Sequence, residues 1–305
     1  MKLDVLLPTD HAARQLGDLP GVRGHVFDGK GDLPDEAREC TVWVPPFLAT
    51  LDVDSVIAAL PRLKVVQLVS AGAERFVDHI PDGVVLCTAR GAHSGATAEW
   101  IVAAILASVR QFPRFLAAQT LGTWENPWNG ELAGRRVLVV GAGDIGRALG
   151  RRLEGFDVEV RYVARSAREG VSAVGDLPDL LPEHDIVVLL VPTTPETVGL
   201  VDAEFLAAMP DGALLVNAAR GPVVETAALL AELSSKRLHA ALDVTDPEPL
   251  PEGHPLWSAP NLLLTPHTAG SVPRAGEKAL AVVKAQLERL LNGQPLQNVV
   301  SRNGY

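Results

Sequence analysis

The strongest constraint on the fold lies mid-chain, where the apolar run Val137-Leu138-Val139-Val140 meets Gly141-Ala142-Gly143-Asp144-Ile145-Gly146. The next residues, Arg147-Ala148-Leu149-Gly150-Arg151-Arg152-Leu153, have helical spacing. A strand that turns this sharply into a helix needs residues without a Cβ at the turn. The helix N-terminus then presents unpaired N–H groups and a positive dipole end, which suit a pyrophosphate. A G-x-G-x-x-G alone is a common accident, but between a strand and a helix it is the dinucleotide-binding fingerprint. Such a unit belongs to a parallel sheet covered by helices, so the rest of the chain must alternate strands and helices.

The alternation is there. Before the fingerprint, Leu3–Leu7, Thr41–Val44, Val65–Val69 and Val84–Leu86 read as strands, and Asp52–Leu60 as a helix. Around and after it, six strands are expected: Arg136–Val140, Val158–Val163, Ile186–Val191, Ala213–Asn217, Ala240–Val244 and Leu262–Thr265. The helical stretch Thr97–Ala118 is expected to kink or end at Pro113, and Leu121–Leu132 reads as a loop. A last helix, Pro273–Asn292, stops at Gly293. The 305 residues exceed a typical single domain. The expected fold class is α/β, with two doubly wound parallel-sheet domains. A Rossmann dinucleotide-binding domain over residues 97–273 is inserted in a flavodoxin-like substrate domain formed by residues 1–96 and 274–305.

Composition limits the partners. A formal net charge of −10 argues against a nucleic-acid surface, which needs a basic face. The two cysteines, Cys40 and Cys87, sit in apolar runs, with no disulfide or metal-ligand spacing. The N-terminal residues read as a short strand, and no apolar run approaches the ~18 residues of a membrane span. A cytoplasmic protein with no membrane partner and no metal is expected.

The strand after the fingerprint bears on the cofactor. An acidic residue about 20 positions past the glycines would hold the ribose 2′-hydroxyl of NAD. Here the acids Asp157 and Glu159 stand at the amino end of the strand, and Ala164-Arg165-Ser166 stand at the carboxyl end. A cation and a hydroxyl there suit a 2′-phosphate, so NADP(H) is expected in preference to NAD(H). Three later strands deliver further chemistry to the same edge: Arg220 after Asn217, Glu248 after Asp243, and His267 after Thr265-Pro266. His184 and His239 precede their strands, at the opposite edge.

Taken in order, these motifs resemble the D-isomer-specific 2-hydroxyacid dehydrogenases, close to the glyoxylate/hydroxypyruvate reductases, over nearly the whole chain. The matching pieces are Val140–Gly146, Val191-Pro192-Thr193-Thr194-Pro195-Glu196-Thr197, Asn217-Ala218-Ala219-Arg220-Gly221, Ala241–Val244 through Glu248-Pro249-Leu250, and Thr265–Gly270. Ser70-Ala71-Gly72-Ala73-Glu74 resembles the family's glycine turn, and Ala98-Glu99 the start of its interdomain helix. The resemblance implies reduction of a small 2-oxo acid to the D-2-hydroxy acid by hydride transfer. His267 would be the general acid and base, paired with and oriented by Glu248. Arg220 would bind the substrate carboxylate and carbonyl. Backbone N–H groups at Ala71 and Gly72 would hold the carboxylate, and Phe47, in Pro45-Pro46-Phe47-Leu48, would face the substrate side chain. Gly141, Gly143, Asp144, Ile145 and Gly146 would cradle the cofactor, with Arg165 and Ser166 on its 2′-phosphate. Asp243 would meet the carboxamide, and Pro192, Thr197, Ala218 and Thr97 would line the cleft. A homodimer is implied.

The chain departs from the family at His93, where asparagine is frequent, and at Thr97, Trp100 and Thr268. None is in the proposed triad, though His93 stands where it could line the substrate cleft. Two other classes remain open: a dinucleotide-sensing co-repressor that acts by binding protein, and a formate or phosphite dehydrogenase relative. Against the latter, Glu248 stands where formate enzymes have glutamine, and the lysine that phosphite enzymes carry near Ala71-Gly72 is missing.

Overall fold

A computed structural model describes residues 2–47 and 51–300. The chain forms two compact units, one running up to His93 and resuming at Pro273, the other spanning Ser94–Val272.

The first unit contains β1 (Leu3–Leu7), α1 (Asp10–Gly17), β2 (Val22–Val26), β3 (Val42–Trp43), α2 (Val53–Ala58), β4 (Val65–Gln67) and β5 (Val85–Cys87). The strands make a parallel sheet in the order β2-β1-β3-β4-β5. Successive side chains alternate between its faces, as the two-residue period of a strand requires. Leu6, Trp43, Val66 and Leu86 pack with Val53 and Val56 of α2 on one face. Leu3, Val5, Leu7, Val42, Val65 and Cys87 pack on the other. Because both faces are covered, the central strands read in the sequence as unbroken apolar runs. Helix starts are capped: the Asp52 carboxylate accepts from the Ser55 N–H at 3.1 Å, and the Thr9 hydroxyl from Ala12 N–H at 3.1 Å.

The second unit begins with α3 (Ser94–Val109) and α4 (Phe112–Thr120), followed by β6 (Arg136–Val140), α5 (Asp144–Leu153), β7 (Glu159–Ala164), β8 (Val171–Ala173) and α6 (Leu177–Leu180). It continues with β9 (Ile186–Leu189), α7 (Ala203–Ala208), β10 (Leu214–Asn217), α8 (Thr226–Ser234), β11 (His239–Leu242) and β12 (Leu262–Leu264). The parallel sheet has the order β12-β11-β10-β9-β6-β7-β8. The chain winds outward from β6 to β8, returns to β9, and winds outward the other way. The switch between β6 and β9 opens a crevice at the carboxyl ends of the strands, where such sheets take their ligands. Small and branched residues of α3, namely Ala98, Ile101, Ala104 and Ile105, are buried on one face of this sheet and against Leu149 of α5. After β12, α9 (Pro273–Leu291) returns to the first unit, placing Val283 and Leu287 among the side chains beneath β1 and β3. Gly293 ends it in the left-handed region at φ 63°.

Three expectations need correction. The second sheet has seven strands rather than six, because β8 lies outside the apolar pattern, and β2 in the first unit does too. Both are edge strands. Val22-Arg23-Gly24-His25-Val26 alternates polar residues and a glycine, and Val171–Ala173 is three residues long and half-buried. Neither is an apolar run. Third, the long helix begins at Ser94 and breaks before Pro113, at Gln111, whose φ of 54° is left-handed. The two pieces are bent by 65°. Pro113 occupies the first turn of α4, where its missing N–H leaves no helix bond unmade. Among the described residues no single helix is long and apolar enough to cross a membrane.

Arg237 ties α7, α8 and β11 together. Its guanidinium donates to the Leu206 and Met209 carbonyl oxygens at 2.6 and 2.8 Å and to the Glu232 carboxylate at 2.6 Å. These carbonyls belong to the end of α7, where the last turn leaves acceptors without helical partners. Arg237→Ala should therefore destabilise the fold by about 2 kcal/mol, within the range for hydrogen bonds to charged groups. Arg237→Lys should recover little, since the donors of an ammonium sit on one atom and cannot span acceptors that Nε, Nη1 and Nη2 reach separately. The midpoint of urea unfolding is the measurement.

Both thiols are fully buried. Burial, aided by the charges of Asp4 and Glu39, pushes Cys40 up to about 12, and burial pushes Cys87 up to about 11 against a hydrogen bond from Gln286. At pH 8 almost no thiolate is present on either, so a chromogenic disulfide reagent should leave the native protein unmodified and titrate both groups in denaturant.

Candidate functional site

The turn after β6 is built by exclusion. Gly141 sits at φ 124°, and a Cβ on it would lie 2.5 Å from the Leu190 carbonyl oxygen. A Cβ on Gly146 would lie 2.5 Å from the Gly141 carbonyl oxygen, so α5 packs against the turn only because that residue is glycine. Gly143 differs, since a Cβ there would meet nothing within 4 Å. Packing demands the first and third glycines, and the second leaves the helix N-terminus open to an approaching anion. The cradle fits a dinucleotide pyrophosphate. Asp144 opens α5 and is neutralised by Arg147 at 2.9 Å, while Ile145 packs inward.

β7 brings the next group alongside. Val140 pairs with Val163, and the Gly141 N–H donates to the Val163 carbonyl at 2.8 Å, which places Ala164-Arg165-Ser166 beside the glycine turn. Arg165 and Ser166 are exposed. The acids Asp157 and Glu159 lie at the opposite edge, where Glu159 meets Arg161 at 3.0 Å. β7 and β8 are joined by a connection far shorter than the dozen or more residues usual between parallel strands. Within it Arg168 folds back, and its guanidinium lies 3.3 Å from the Ala142 carbonyl oxygen. Across the crevice, the carboxyl of Glu196 is held below its usual range by the Thr194 hydroxyl, its own backbone N–H and the charge of Arg165. The loop carrying it is folded around the Thr197 hydroxyl, which donates to the Pro192 carbonyl at 2.6 Å and receives the Thr194 N–H at 2.8 Å.

The adjacent strands β10, β11 and β12 end in the remaining chemistry. Asn217, fully buried, uses both ends of its amide on the turn after it: Oδ1 accepts from Ala219 N–H and Nδ2 donates to the Arg220 carbonyl, each at 3.0 Å. Sequence reasoning assigns Asn217 no role, although a buried amide closing an apolar strand is the available signal. Arg220 is half-buried, and its Nη1 lies 2.6 Å from the Ala219 carbonyl oxygen. Gly221 is pressed against β11's loop, where a Cβ would fall 1.9 Å from the Thr245 carbonyl oxygen. After β12 comes His267, in the left-handed region at φ 53°. Its Nδ1 lies 2.6 Å from Oε1 of Glu248, and both side chains remain partly open to solvent.

What holds this turn is Asp243, only 3% exposed. One carboxylate oxygen accepts from the Thr265 hydroxyl at 2.6 Å and the Thr268 N–H at 2.8 Å, and the other from the Ala269 N–H at 2.9 Å. The Asp243 carbonyl accepts from the His267 N–H at 2.7 Å. His184 and His239 lie at the other edge, and His184 is fully buried with Nδ1 2.6 Å from the Leu180 carbonyl. Thr97 is buried in the first turn of α3, and Ala218 is half-buried at the end of β10. Among the described residues no group of three or more His, Cys, Asp or Glu could hold a metal ion.

In the first unit the Ser70–Glu74 turn comes after β4. The Ser70 hydroxyl donates to the Gly72 carbonyl at 2.8 Å, and Ala71 is exposed. Phe47 is 41% exposed, and Leu48, expected beside it, lies outside the described residues.

Comparison with known proteins bears on the family. The profile of the D-isomer specific 2-hydroxyacid dehydrogenase NAD binding domain matches residues 102–269. A glyoxylate reductase of Thermofilum pendens is 36% identical over 256 residues, covering 78% of this chain and 75% of that enzyme. A D-3-phosphoglycerate dehydrogenase of Mycobacterium bovis is 33% identical and covers 99% of this chain, which spans 58% of its length. Among solved structures, a D-isomer specific 2-hydroxyacid dehydrogenase from Xanthobacter autotrophicus, in complex with NADPH and MES, superposes with a TM-score of 0.83 at 32% identity, covering 99% of this chain and 98% of that one. With the fingerprint, the seven-stranded sheet and the paired histidine and glutamate in place, the chain belongs to the D-isomer specific 2-hydroxyacid dehydrogenase family, an enzyme that uses a nicotinamide dinucleotide.

Proposed function

We propose that this enzyme uses NADPH to reduce a small, unphosphorylated 2-oxo acid of the glyoxylate or hydroxypyruvate class to the D-2-hydroxy acid. The observation that carries the reading is the 2.6 Å contact between His267 and Glu248 on a turn fixed by Asp243. The bound nicotinamide supplies the hydride. His267, with Nδ1 turned to the carboxylate, keeps Nε2 available to give a proton to the substrate oxygen in reduction and to take it back in oxidation. Glu248 fixes that orientation. Arg220 offers a forked cation to the carboxylate and to the oxygen on which charge develops. The family resemblance assigns the substrate carboxylate to the N–H groups of Ala71 and Gly72 in the first unit. A glyoxylate/hydroxypyruvate reductase of Sinorhizobium meliloti described as NADPH-dependent, 25% identical to this chain, supports the cofactor and substrate class.

We infer further that the partner is a second copy of the chain. Phe112, Leu116, Leu121, Trp124 and Trp128 are each more than half exposed along α4 and the segment after it, and Trp128 is wholly exposed. So much adjacent apolar surface on one protein marks an interaction site. Sedimentation equilibrium should give twice the 32.3 kDa chain mass, and Trp124→Ser with Trp128→Ser should shift it toward the monomer.

The substrate assignment is tested with a panel of 2-oxo acids. Hydroxypyruvate or glyoxylate should be preferred to 3-phosphohydroxypyruvate, and the reverse order would overturn it. His267→Ala and Arg220→Ala should each lower kcat/KM about a hundredfold or more, the scale of a lost positioned acid or charge clamp. Asp243→Ala should lower it similarly by releasing the left-handed turn. A fully active His267→Ala enzyme would end the catalytic assignment.

The cofactor preference has its own test. Arg165 at the end of β7 gives a charge-assisted contact to a 2′-phosphate, worth roughly 1.5–3 kcal/mol, or about ten- to a hundredfold in favour of NADPH. Exposure to solvent places the effect at the lower end. Arg165→Ala should weaken NADPH and spare NADH, and adding Ala164→Asp should favour NADH. Equal use of both cofactors by the wild type, at fixed ionic strength, would refute the preference.

A further inference from the structure

His93 is the departure from the family pattern that the catalytic reading leaves without a task. It ends the first unit's leading segment, and two contacts orient its ring. Nε2 lies 2.8 Å from the Val69 carbonyl oxygen, which can only accept, so Nε2 carries the proton. The ring also lies flat on Phe47, with centroids 5.4 Å apart and planes 9° from parallel. That separation is within the range of aromatic stacking. The two contacts join two loops that are distant in sequence, the one after β3 that carries Phe47 and the one after β4 that carries Ser70–Glu74. Val69 immediately precedes that turn, whose start is pinned by the Ala89 N–H on the Ser70 carbonyl at 2.8 Å. The ring pair therefore stands beside the turn, and Phe47 keeps 41% of its surface exposed.

A 2-oxo acid is short, with only the carbonyl carbon between its carboxylate and its side chain. If the carboxylate is held at Ala71 and Gly72, the side chain begins within a few bond lengths of the turn. We propose that His93 is a specificity-determining residue, its ring stacked on Phe47 forming a flat wall that admits hydrogen, hydroxymethyl or a short unbranched chain on the substrate and excludes branched ones. This rests on the reading of the protein as a 2-oxo acid reductase. The two contacts divide the labour. The stacked ring sets the width of the space, and the hydrogen bond to Val69 sets the position of the carboxylate turn.

Two substitutions separate these tasks. His93→Gln keeps an N–H for the Val69 carbonyl and removes the ring, and His93→Phe keeps the ring and removes the donor. The measurement is kcat/KM, with kcat and KM resolved, for glyoxylate, hydroxypyruvate, 2-oxobutyrate and the branched 4-methyl-2-oxopentanoate. His93→Gln should raise the ratio of branched to unbranched substrate at least about tenfold, the scale of one methylene of space in an apolar pocket. His93→Phe should leave that ratio unchanged while raising KM severalfold for every acid. Phe47→Ala, which spares His93, should move the ratio in the same direction as His93→Gln. Unchanged ratios in His93→Gln and Phe47→Ala, with all substrates slowed equally, would show a purely structural ring and overturn the inference alone. A wild type that binds NADPH but reduces none of the acids would overturn the substrate reading, and this inference with it.

Discussion

A buried carboxylate is destabilising unless hydrogen-bond donors compensate it, and Asp243 is placed where those donors also frame the turn that carries His267. Its oxygens collect the Thr265 hydroxyl and the Thr268 and Ala269 N–H groups. The backbone conformation that makes all three puts His267 at a positive φ that a side-chain-bearing residue rarely adopts. That conformation costs on the order of 1–3 kcal/mol, which the charge-assisted hydrogen bonds to the carboxylate offset. The contact with Glu248 is thus a consequence of Asp243 as much as of Glu248.

The same logic runs through the neighbouring strand ends. Asn217 commits its whole amide to the turn that carries Arg220, and Thr197 commits its hydroxyl to the loop after β9. In each case a polar side chain at or beyond the end of a buried strand converts an apolar run into a defined loop. The sheet supplies rigidity, and one polar residue per strand aims the loop beyond it. Leaving such a group unsatisfied is unfavourable, so the loops have few alternative conformations.

These constraints explain how much of the structure is legible in the sequence. The central strands are apolar on both faces and declare themselves as runs, and the fingerprint announces where the chain switches direction. Among the edge strands, β5 and β12 are apolar runs and are read, whereas β2 and β8 stay hidden because their residues are polar or half-buried and follow no apolar period. Pro113 draws attention as a helix breaker, yet the break lies at Gln111, and the proline comes after it to start the next helix. Spacing places Arg220, Glu248 and His267 at one edge, but no spacing rule reports that Arg168 folds back onto the glycine turn, since that depends on a short link between two parallel strands. Local pattern specifies elements. Contacts made by loops are set by what the elements leave open.

The closeness of Gly221 to the Thr245 carbonyl has a consequence for how such a site can change. The loop of the arginine and the loop of the glutamate touch backbone to backbone, with no side chain between them to be trimmed or enlarged. They form one mechanical piece. A mutation cannot slide Arg220 relative to Glu248 in small steps, because a side chain added at the contact must push the two loops apart. Variation in this enzyme therefore has little freedom where these two loops meet. Graded adjustment is left to surfaces whose side chains can be exchanged one at a time.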